Sequence, residues 1–405
     1  MLRRVLILLL AALPLFGQVK LGVDRLFSEK ELLSSLEGKR VGLITNHTGQ
    51  SGELESTLAL FQRHVGPYQL GAVFAPEHGL NGAVYAEKVV KGEMLPNGVP
   101  VHSLYGAYRR PTAEMLKGID LLVFDIQDVG SRNYTYASTL FYAMEEAAKA
   151  KIPVVVLDRP NPINGQMVDG PVLEKKLRSF LGYLEVPYCH GMTIGELARF
   201  FNGEYQIGCQ LKVIRMKGWK RSMSFADCEL PWTPLSPNIP DWETACYFPA
   251  TGLLGEALTN ISIGVGYTLP FKVVGAPWID GEKLAATLNK QGFAGIQFQP
   301  FAFTPFSGRF KGQLCNGVRL VITDYATFKP ASTQFLILGV LKSLYPEKVK
   351  EGIPKNREML AKASGSEAFY QILADEPYIS WKLIGLHGKE REAFKKRRAP
   401  YLLYK

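Results

Sequence analysis

The chain has 405 residues, of which 47% are hydrophobic and 21% charged, a composition that is ordinary for a globular protein and unlike that of a disordered or fibrous chain. Its length predicts two or three domains. The formal net charge is +10, and the basic residues are scattered except for a cluster at residues 389–398. We interpret this cluster as a solvated helix face, so no nucleic-acid partner is expected, although a basic protein would suit an acidic substrate.

The first 18 residues are typical of a secretory signal peptide. Arg3 and Arg4 precede an apolar run at residues 5–16, and the small residue Gly17 follows it. A run of this length is too short to cross a bilayer, which takes about twenty residues. We therefore predict a removable leader at residues 1–18, no stable membrane insertion, and export to the periplasm or the medium.

Predicted strands and helices alternate through the first half of the chain. Strands are predicted at residues 40–45, 70–74, 101–105, 120–124, 153–157 and 210–216, and helices at 53–65, 113–117, 138–150 and 194–201. Right-handed crossovers between such elements predict a mostly parallel, Rossmann-like sheet with helices on both faces. No Gly-x-Gly-x-x-Gly or Walker-type loop follows a strand, so no nucleotide cofactor is expected.

Four of the predicted strands end in polar side chains. In an open parallel sheet the carboxyl ends of the strands share one edge, and ligands bind along it. Arg132, Tyr134 and Tyr136 follow the third of these strands and offer a cation and aromatic surfaces suited to an anionic sugar. The polar strand ends are Asn46 and His47; Glu77 and His78; Asp125, Gln127 and Asp128; and Asp158, Arg159 and Asn161.

The second half of the chain is less regular. The proline-rich segment 232–240 predicts a rigid loop that lines a pocket with Trp232 and Asn238. Strands are predicted near 296–303 and 318–323, and helices at 331–344 and over much of 358–398. We place the domain boundary between residues 205 and 206, which gives a Rossmann-like domain at 19–205 and a smaller α/β domain at 206–405.

Six short motifs occur together and in order along the chain. They are PEHG at 76–79, FDIQDVG at 124–130, LDRPNP at 157–162, HGMT at 190–193, SPNIP at 236–240 and GAPW at 275–278. This set resembles the exo-β-N-acetylmuramidases of the NamZ type, over residues 25–405. The resemblance implies two domains with an active cleft between them. It also implies release of N-acetylmuramic acid from the non-reducing end of peptidoglycan-derived muropeptides or disaccharides, with Glu77 as the acid.

Glycoside hydrolysis generally uses two carboxyl groups, one that protonates the leaving oxygen and one that is ionised. Glu77 is our candidate for the first role. The candidates for the second role are Asp125, Asp128, Asp158 and Asp169, or the 2-acetamido group of the substrate acts as an internal nucleophile. The choice between a retaining and an inverting course stays open.

Several residues are candidates for binding the sugar. Arg132 and Arg159 could each bind the lactyl carboxylate of muramic acid in bidentate fashion, whereas a structural ion pair with Asp158 or Asp128 is the alternative for Arg159. Hydrogen bonds to sugar hydroxyls are expected from Asn46, His78 and His190, each of which could equally be a framework group. The remaining substrate-binding candidates are Gln127, Tyr134, Asp158, Asn161 and Asn238.

The chain departs from the family pattern at two positions in 259–267. Many relatives carry a glutamate and an arginine where this chain has Ile263 and Val265. If those groups help to hold the lactyl carboxylate or tune the acid in the relatives, specificity differs here, and Glu256 is a candidate substitute in space. Asp169 likewise stands where relatives often have glutamate.

Two other classes of protein compete with this interpretation. The first is a metal-dependent envelope hydrolase with His47, His78, Asp125 and His190 as ligands. Neither a His-x-His nor a His-Glu-x-x-His spacing supports it, so no metal is expected. The second is a non-catalytic exported sugar-binding protein, whose two lobes would close on a ligand.

Overall fold

The structure, a computed structural model, describes residues 17–85 and 88–405. Residues 1–16 of the predicted signal peptide lie outside the described residues. Within the described ranges, no helix combines the length and the apolar character that a membrane crossing requires.

Within the residues that the structure describes, twelve strands form three sheets. In chain order the strands are β1 (Arg40–Thr45), β2 (Gln69–Ala75), β3 (Glu93–Met94), β4 (Pro100–Ser103), β5 (Leu121–Asp125), β6 (Val154–Leu157), β7 (Asp169–Val172), β8 (Pro187–Cys189), β9 (Leu211–Ile214), β10 (Val273–Ala276), β11 (Ile296–Phe303) and β12 (Cys315–Ile322). The helices are α1 (Gly22–Ser28), α2 (Lys30–Leu33), α3 (Thr57–Arg63), α4 (Thr135–Ala150), α5 (Ile194–Glu204), α6 (Trp242–Ala257), α7 (Gly281–Asn289), α8 (Pro330–Leu344), α9 (Pro346–Gly352), α10 (Arg357–Ser364), α11 (Glu367–Asp375), α12 (Ser380–Gly385) and α13 (Gly388–Arg398).

The largest sheet has seven strands in the order β3-β4-β2-β1-β5-β6-β9. All of its pairs are parallel except β3 with β4, which confirms the predicted Rossmann-like sheet. Successive residues alternate between its two faces. Ile44, Phe74 and Phe124 pack into the core that contains α4 and α5, whereas Leu43 and Val73 pack with α1 and α3 on the opposite face. Burial on both faces explains why these strands are almost continuously apolar.

The C-terminal part of the chain has a smaller antiparallel sheet, in the order β10-β12-β11. It packs in one core with α6, α7 and α8. The hairpin β7-β8 forms a third sheet. Strand β9 lies beyond the predicted boundary at residues 205/206 and still pairs with β6 in the first sheet.

Two predicted helices differ from the structure. The helix expected at 53–65 begins only at Thr57, because the Ser56 hydroxyl accepts a hydrogen bond from the Ala59 amide and caps it. Leu54, which lies inside the predicted helix, has a positive φ and is 55% exposed. The helix expected at 113–117 is wrong, since this segment forms hydrogen-bonded turns.

Several helices of the structure were not predicted from the sequence, notably α6. Its residues are apolar on almost every side, so the polar-apolar alternation of a surface helix is absent. Pro249 within it argued against a helix as well. The Asp241 carboxylate caps its first turn by accepting a hydrogen bond from the Thr244 amide at 2.7 Å.

Candidate active site

A cavity of about 630 Å³ lies where the carboxyl edge of the seven-stranded sheet faces α6 and α10. Both halves of the chain contribute to its lining, which agrees with the cleft expected between two domains. Among the predicted site residues, the cavity brings together Glu77, His78, Tyr134 and Asn238. Its volume falls in the range typical of pockets for small ligands, roughly 300–1,000 Å³.

Glu77 is positioned by the end of β2. Pro76 ends the strand, and the next two residues after Glu77, His78 and Gly79, have positive φ values of 69° and 78°. The Thr135 hydroxyl, in the first turn of α4, donates a hydrogen bond to Oε2 of Glu77 at 2.5 Å. Glu77 is 8% exposed, so its carboxyl group is largely shielded from solvent and held in one orientation.

His78 and Tyr134 flank this carboxyl group. Nδ1 of His78 lies 2.7 Å from the Val84 carbonyl oxygen, so the ring is fixed by the loop that follows it. Tyr134 packs edge-on against Tyr136, with ring centroids 4.9 Å apart, and against Phe248 of α6. Burial, together with the nearby charges of Asp128 and Glu77, raises the pKa of Tyr134, so its hydroxyl stays protonated at neutral pH.

Asp125 and Arg159 form a buried ion pair outside the cavity lining. Nε of Arg159 lies 2.5 Å from Oδ1 of Asp125, and Nη2 lies 2.7 Å from Oδ2. The Thr57 hydroxyl also donates to Oδ2, and Arg159 donates to the Gln50 carbonyl. The pair therefore joins the ends of β5 and β6 to α3. Arg159 thus has a structural ion pair, but its partner is Asp125 and not the predicted Asp158 or Asp128.

Two other predicted carboxylates are also held by donors away from the cavity. Asp158 accepts hydrogen bonds from the Thr193 and Tyr404 hydroxyls and the Gly195 amide, at 2.9, 2.5 and 2.8 Å. Burial raises the pKa of Asp158 to about 7. Asp169 accepts from the amide and the hydroxyl of Ser332 at 2.8 and 2.7 Å, and so connects β7 to α8.

Asp128 lies behind the cavity, close to Tyr134. Its Oδ2 accepts a hydrogen bond from the Gly130 amide at 2.8 Å, whereas its buried Oδ1 has no hydrogen-bond partner within the part of the chain that the structure describes. Burial raises the pKa of Asp128 to about 7. A carboxyl group in this environment can exist in either protonation state near neutral pH.

Arg132 and His190 are both buried outside the cavity lining. Arg132 donates to the carbonyl oxygens of Pro171, Val186 and Ser364 at 2.7, 3.0 and 2.8 Å, and burial lowers its pKa to about 10. His190 accepts from the Met192 amide at 3.2 Å, and burial lowers its pKa to about 3, so it is neutral.

Asn46, Gln127 and Asn161 brace the loops at the strand ends. Oδ1 of Asn46 accepts from the Thr48 amide and hydroxyl, and Nε2 of Gln127 donates to the Pro160 carbonyl. Nδ2 of Asn161 donates to the Met192 carbonyl. None of these three side chains belongs to the described cavity lining.

The four residues of the metal hypothesis have separate partners. His47 contacts the Pro234 carbonyl at 2.7 Å, His78 contacts a different carbonyl, Asp125 pairs with Arg159, and His190 is buried near Met192. Residues 17–85 and 88–405 contain no group of three or more His, Cys, Asp or Glu side chains that could hold a metal ion. The donor set therefore does not fit the metal-dependent alternative.

The cavity also contains residues that the sequence analysis did not assign to the site. Arg109 and Lys362 bring positive charge, and Thr135 positions Glu77. Arg109 follows β4, the strand beside β2, and this adjacency is the signal that could have identified it. Ile263, Val265 and Glu256 all line the cavity, so the departure from the family pattern falls at the site itself.

The chain is similar in sequence and in structure to known proteins. The N-terminal region of exo-β-N-acetylmuramidase NamZ matches residues 41–243, and the C-terminal region matches residues 246–404. The chain is 41% identical over 398 residues to peptidoglycan β-N-acetylmuramidase NamZ of Bacillus subtilis, covering 96% of this chain and 92% of that protein.

Two crystal structures of DUF1343 family proteins from Bacteroides fragilis are similar as well. One has a TM-score of 0.89 at 39% identity, and the other a TM-score of 0.75 at 29% identity. Each alignment covers 96% of this chain and 99% of the other chain. The chain therefore belongs to the exo-β-N-acetylmuramidase NamZ family and is a glycoside hydrolase.

Proposed function

We propose that the protein is an exo-acting β-N-acetylmuramidase that removes terminal N-acetylmuramic acid from the non-reducing end of peptidoglycan fragments, with Glu77 as general acid. One observation carries the proposal. Glu77 is a shielded carboxyl group, oriented by Thr135 at 2.5 Å, in a cavity of about 630 Å³ that both halves of the chain line. The B. subtilis relative, named as a peptidoglycan β-N-acetylmuramidase, supports the choice of substrate.

In this proposal Glu77 donates its proton to the glycosidic oxygen as the bond from that oxygen to C1 of muramic acid breaks. The leaving sugar departs as an alcohol, and water supplies the hydroxyl group that C1 of the released muramic acid acquires. The Thr135 hydrogen bond fixes the carboxyl group, so little reorientation is needed when the substrate is bound.

The second carboxyl role requires a group that reaches the sugar. Asp125, Asp158 and Asp169 are held by framework donors, and neither they nor Asp128 line the cavity. Glu256, at the end of α6, lines the same cavity as Glu77. We assign the second role to Glu256, and Glu256→Gln is expected to lower kcat with little change in the stability of the fold.

The experiment is an assay of the purified protein on two disaccharides that differ only in the order of the sugars. One has N-acetylmuramic acid at the non-reducing end, β-1,4-linked to N-acetylglucosamine, and the other has the reverse order. The proposal expects release of N-acetylmuramic acid from the first, no cleavage of the second, and no effect of a chelator. Cleavage of the reverse disaccharide, or of neither, would contradict it.

We further propose that the enzyme is exported. The charged and apolar pattern of residues 1–18 supports this, because it is typical of a cleavable signal peptide. Fractionation of expressing cells, with N-terminal sequencing of the exported form, is expected to give a start at residue 18 or 19.

A further inference from the structure

Arg109 lies on the same sheet edge as Glu77. Strand β4 pairs in parallel with β2, and Ser103 is the partner of Ala75. Glu77 and Tyr105 each stand two residues beyond this pair. Glu77 and Tyr105 therefore follow the ends of neighbouring strands, and both line the cavity. Arg109 follows four residues later, and its side chain lines the cavity.

Two aromatic rings hold the Arg109 side chain in place. The guanidinium carbon lies 4.7 Å from the ring centre of Phe180 and 5.5 Å from that of Tyr105. Both rings also line the cavity. Contact with a ring face uses the flat side of a guanidinium group and leaves its N–H edges available for a carboxylate.

The next residue, Arg110, has a structural role and serves as a comparison for Arg109. Its guanidinium donates to Glu145, Glu146 and the Tyr183 hydroxyl. Arg109, in contrast, forms no ion pair with a described carboxylate. A cation that is positioned by rings and lacks a described acidic partner is suited to binding an anion from outside the chain.

The other cations near the site are already engaged. Arg132 is bound to backbone carbonyls, and Arg159 is paired with Asp125. Lys362 lines the cavity, but its ammonium group lies 2.5 Å from Oε1 of Glu358. Arg109 is therefore the best candidate among the described residues for the role that the sequence analysis gave to Arg132 or Arg159.

We propose that Arg109 forms the subsite for a carboxylate of the substrate, beside the general acid. The inference rests on the proposed function, because a muramic acid substrate supplies such a carboxylate from two sources. One is the lactyl group of the terminal sugar, and the other is the stem peptide of a muropeptide, in which the lactyl carboxyl group is consumed in an amide bond.

The test compares wild type, Arg109→Gln and Arg109→Lys on three disaccharides with non-reducing muramic acid. The first has a free lactyl carboxylate, the second an uncharged lactyl amide, and the third an L-alanyl-D-glutamate dipeptide. We expect Arg109→Gln to raise KM by about tenfold to a hundredfold on a carboxylate-bearing substrate, with kcat changed less than about threefold. Wild type and Arg109→Gln should have the same KM on the uncharged amide. On a carboxylate-bearing substrate, the KM of Arg109→Lys should lie between those of wild type and Arg109→Gln.

The three substrates distinguish the lactyl carboxylate from a carboxylate of the stem peptide. A loss on the free lactyl substrate alone identifies the lactyl carboxylate, and a loss on the dipeptide substrate alone identifies the stem peptide. Equal KM values for wild type and Arg109→Gln on all three, or an equal loss on the amide, would overturn the proposal. Arg319→Gln removes an exposed arginine outside the cavity and is the matched control, expected to leave all KM values unchanged.

Binding of free N-acetylmuramic acid and N-acetylglucosamine, measured by calorimetry, separates this inference from the proposed function. If wild type hydrolyses none of the disaccharides, the proposed function fails. Binding of muramic acid that is weakened about tenfold or more by Arg109→Gln would still support a lactyl carboxylate subsite. If wild type is inactive and both proteins bind N-acetylmuramic acid equally well, the carboxylate subsite at Arg109 is overturned.

Discussion

The Thr135 hydroxyl donates a hydrogen bond to the Glu77 carboxylate over 2.5 Å, and so connects the first turn of α4 to the end of β2. Both residues are more than nine-tenths buried. As Glu77 gives its proton to the leaving oxygen it becomes a carboxylate, and a hydrogen bond to a charged group is stronger than one between neutral groups. Thr135 therefore acts as a positioning residue for the proposed general acid.

Replacing Thr135 tests this role. Thr135→Val keeps the size and branching of the side chain but removes the donor, so the carboxyl group loses its orientation. We expect kcat to fall by about tenfold while KM changes little, since one such hydrogen bond contributes about 1.5–3 kcal/mol. Thr135→Ser retains the hydroxyl and should restore most of the rate. A Ser variant as slow as the Val variant would show that the hydroxyl does not matter.

The buried pair of Asp125 and Arg159 is expected to matter for stability. Arg159→Met leaves the fully buried Asp125 carboxylate without its cation, at an expected cost of about 3–5 kcal/mol in the free energy of unfolding. Urea denaturation measures the change. The control is Arg25→Gln, which breaks the more exposed pair of Arg25 and Glu29 and should cost less than about 1 kcal/mol. Equal costs for the two variants would contradict the framework role of Arg159.

Asp128 is expected to make stability depend on pH. Burial raises its pKa to about 7 in the folded protein, whereas an unfolded aspartate titrates near about 4. The folded state therefore binds more protons between these values. The contribution of this group to stability is fully present below about pH 4 and is lost as the pH rises through about 7.

Asp128→Asn removes this titration while it can keep the hydrogen bond from the Gly130 amide. Relative to wild type, the variant should gain stability between about pH 4 and pH 8, by a few kcal/mol at most. Asp158, which has a similarly raised pKa, is present in both proteins and its effect cancels. Urea denaturation at both pH values checks the prediction, and a constant difference between the two proteins would contradict it.

The sheet and the strand-end loops were predictable because their signals are local. Apolar runs that end in Pro76-Glu77 or at Asp125 identify buried strands and their carboxyl ends. Parallel pairing then brings those ends to one edge. The predicted enzyme class is confirmed by family membership, so the alternative of a non-catalytic sugar-binding protein is wrong.

The rest of the site depends on contacts between distant parts of the chain. A sequence pattern cannot show that Arg132 is enclosed by carbonyls from Pro171, Val186 and Ser364, more than 200 positions away in the last case. The same holds for Asp169, whose partner is Ser332. Helix α6 was not predicted because it is buried on almost every side and therefore lacks an amphipathic pattern. For the same reason the sequence did not place Glu256, at the end of α6, in the cavity wall.

If Glu77 protonates the leaving oxygen, the effect of replacing it must depend on the leaving group. Wild type and Glu77→Gln are compared on the disaccharide of muramic acid and N-acetylglucosamine and on a dinitrophenyl muramic acid glycoside, whose leaving group needs no proton. The side-chain amide of the variant can still accept the Thr135 hydrogen bond, so the fold should be retained. We expect Glu77→Gln to lose about a hundredfold to ten-thousandfold of its rate on the disaccharide and much less on the dinitrophenyl glycoside. Equal losses on the two substrates, or full activity of the variant on the disaccharide, would contradict it.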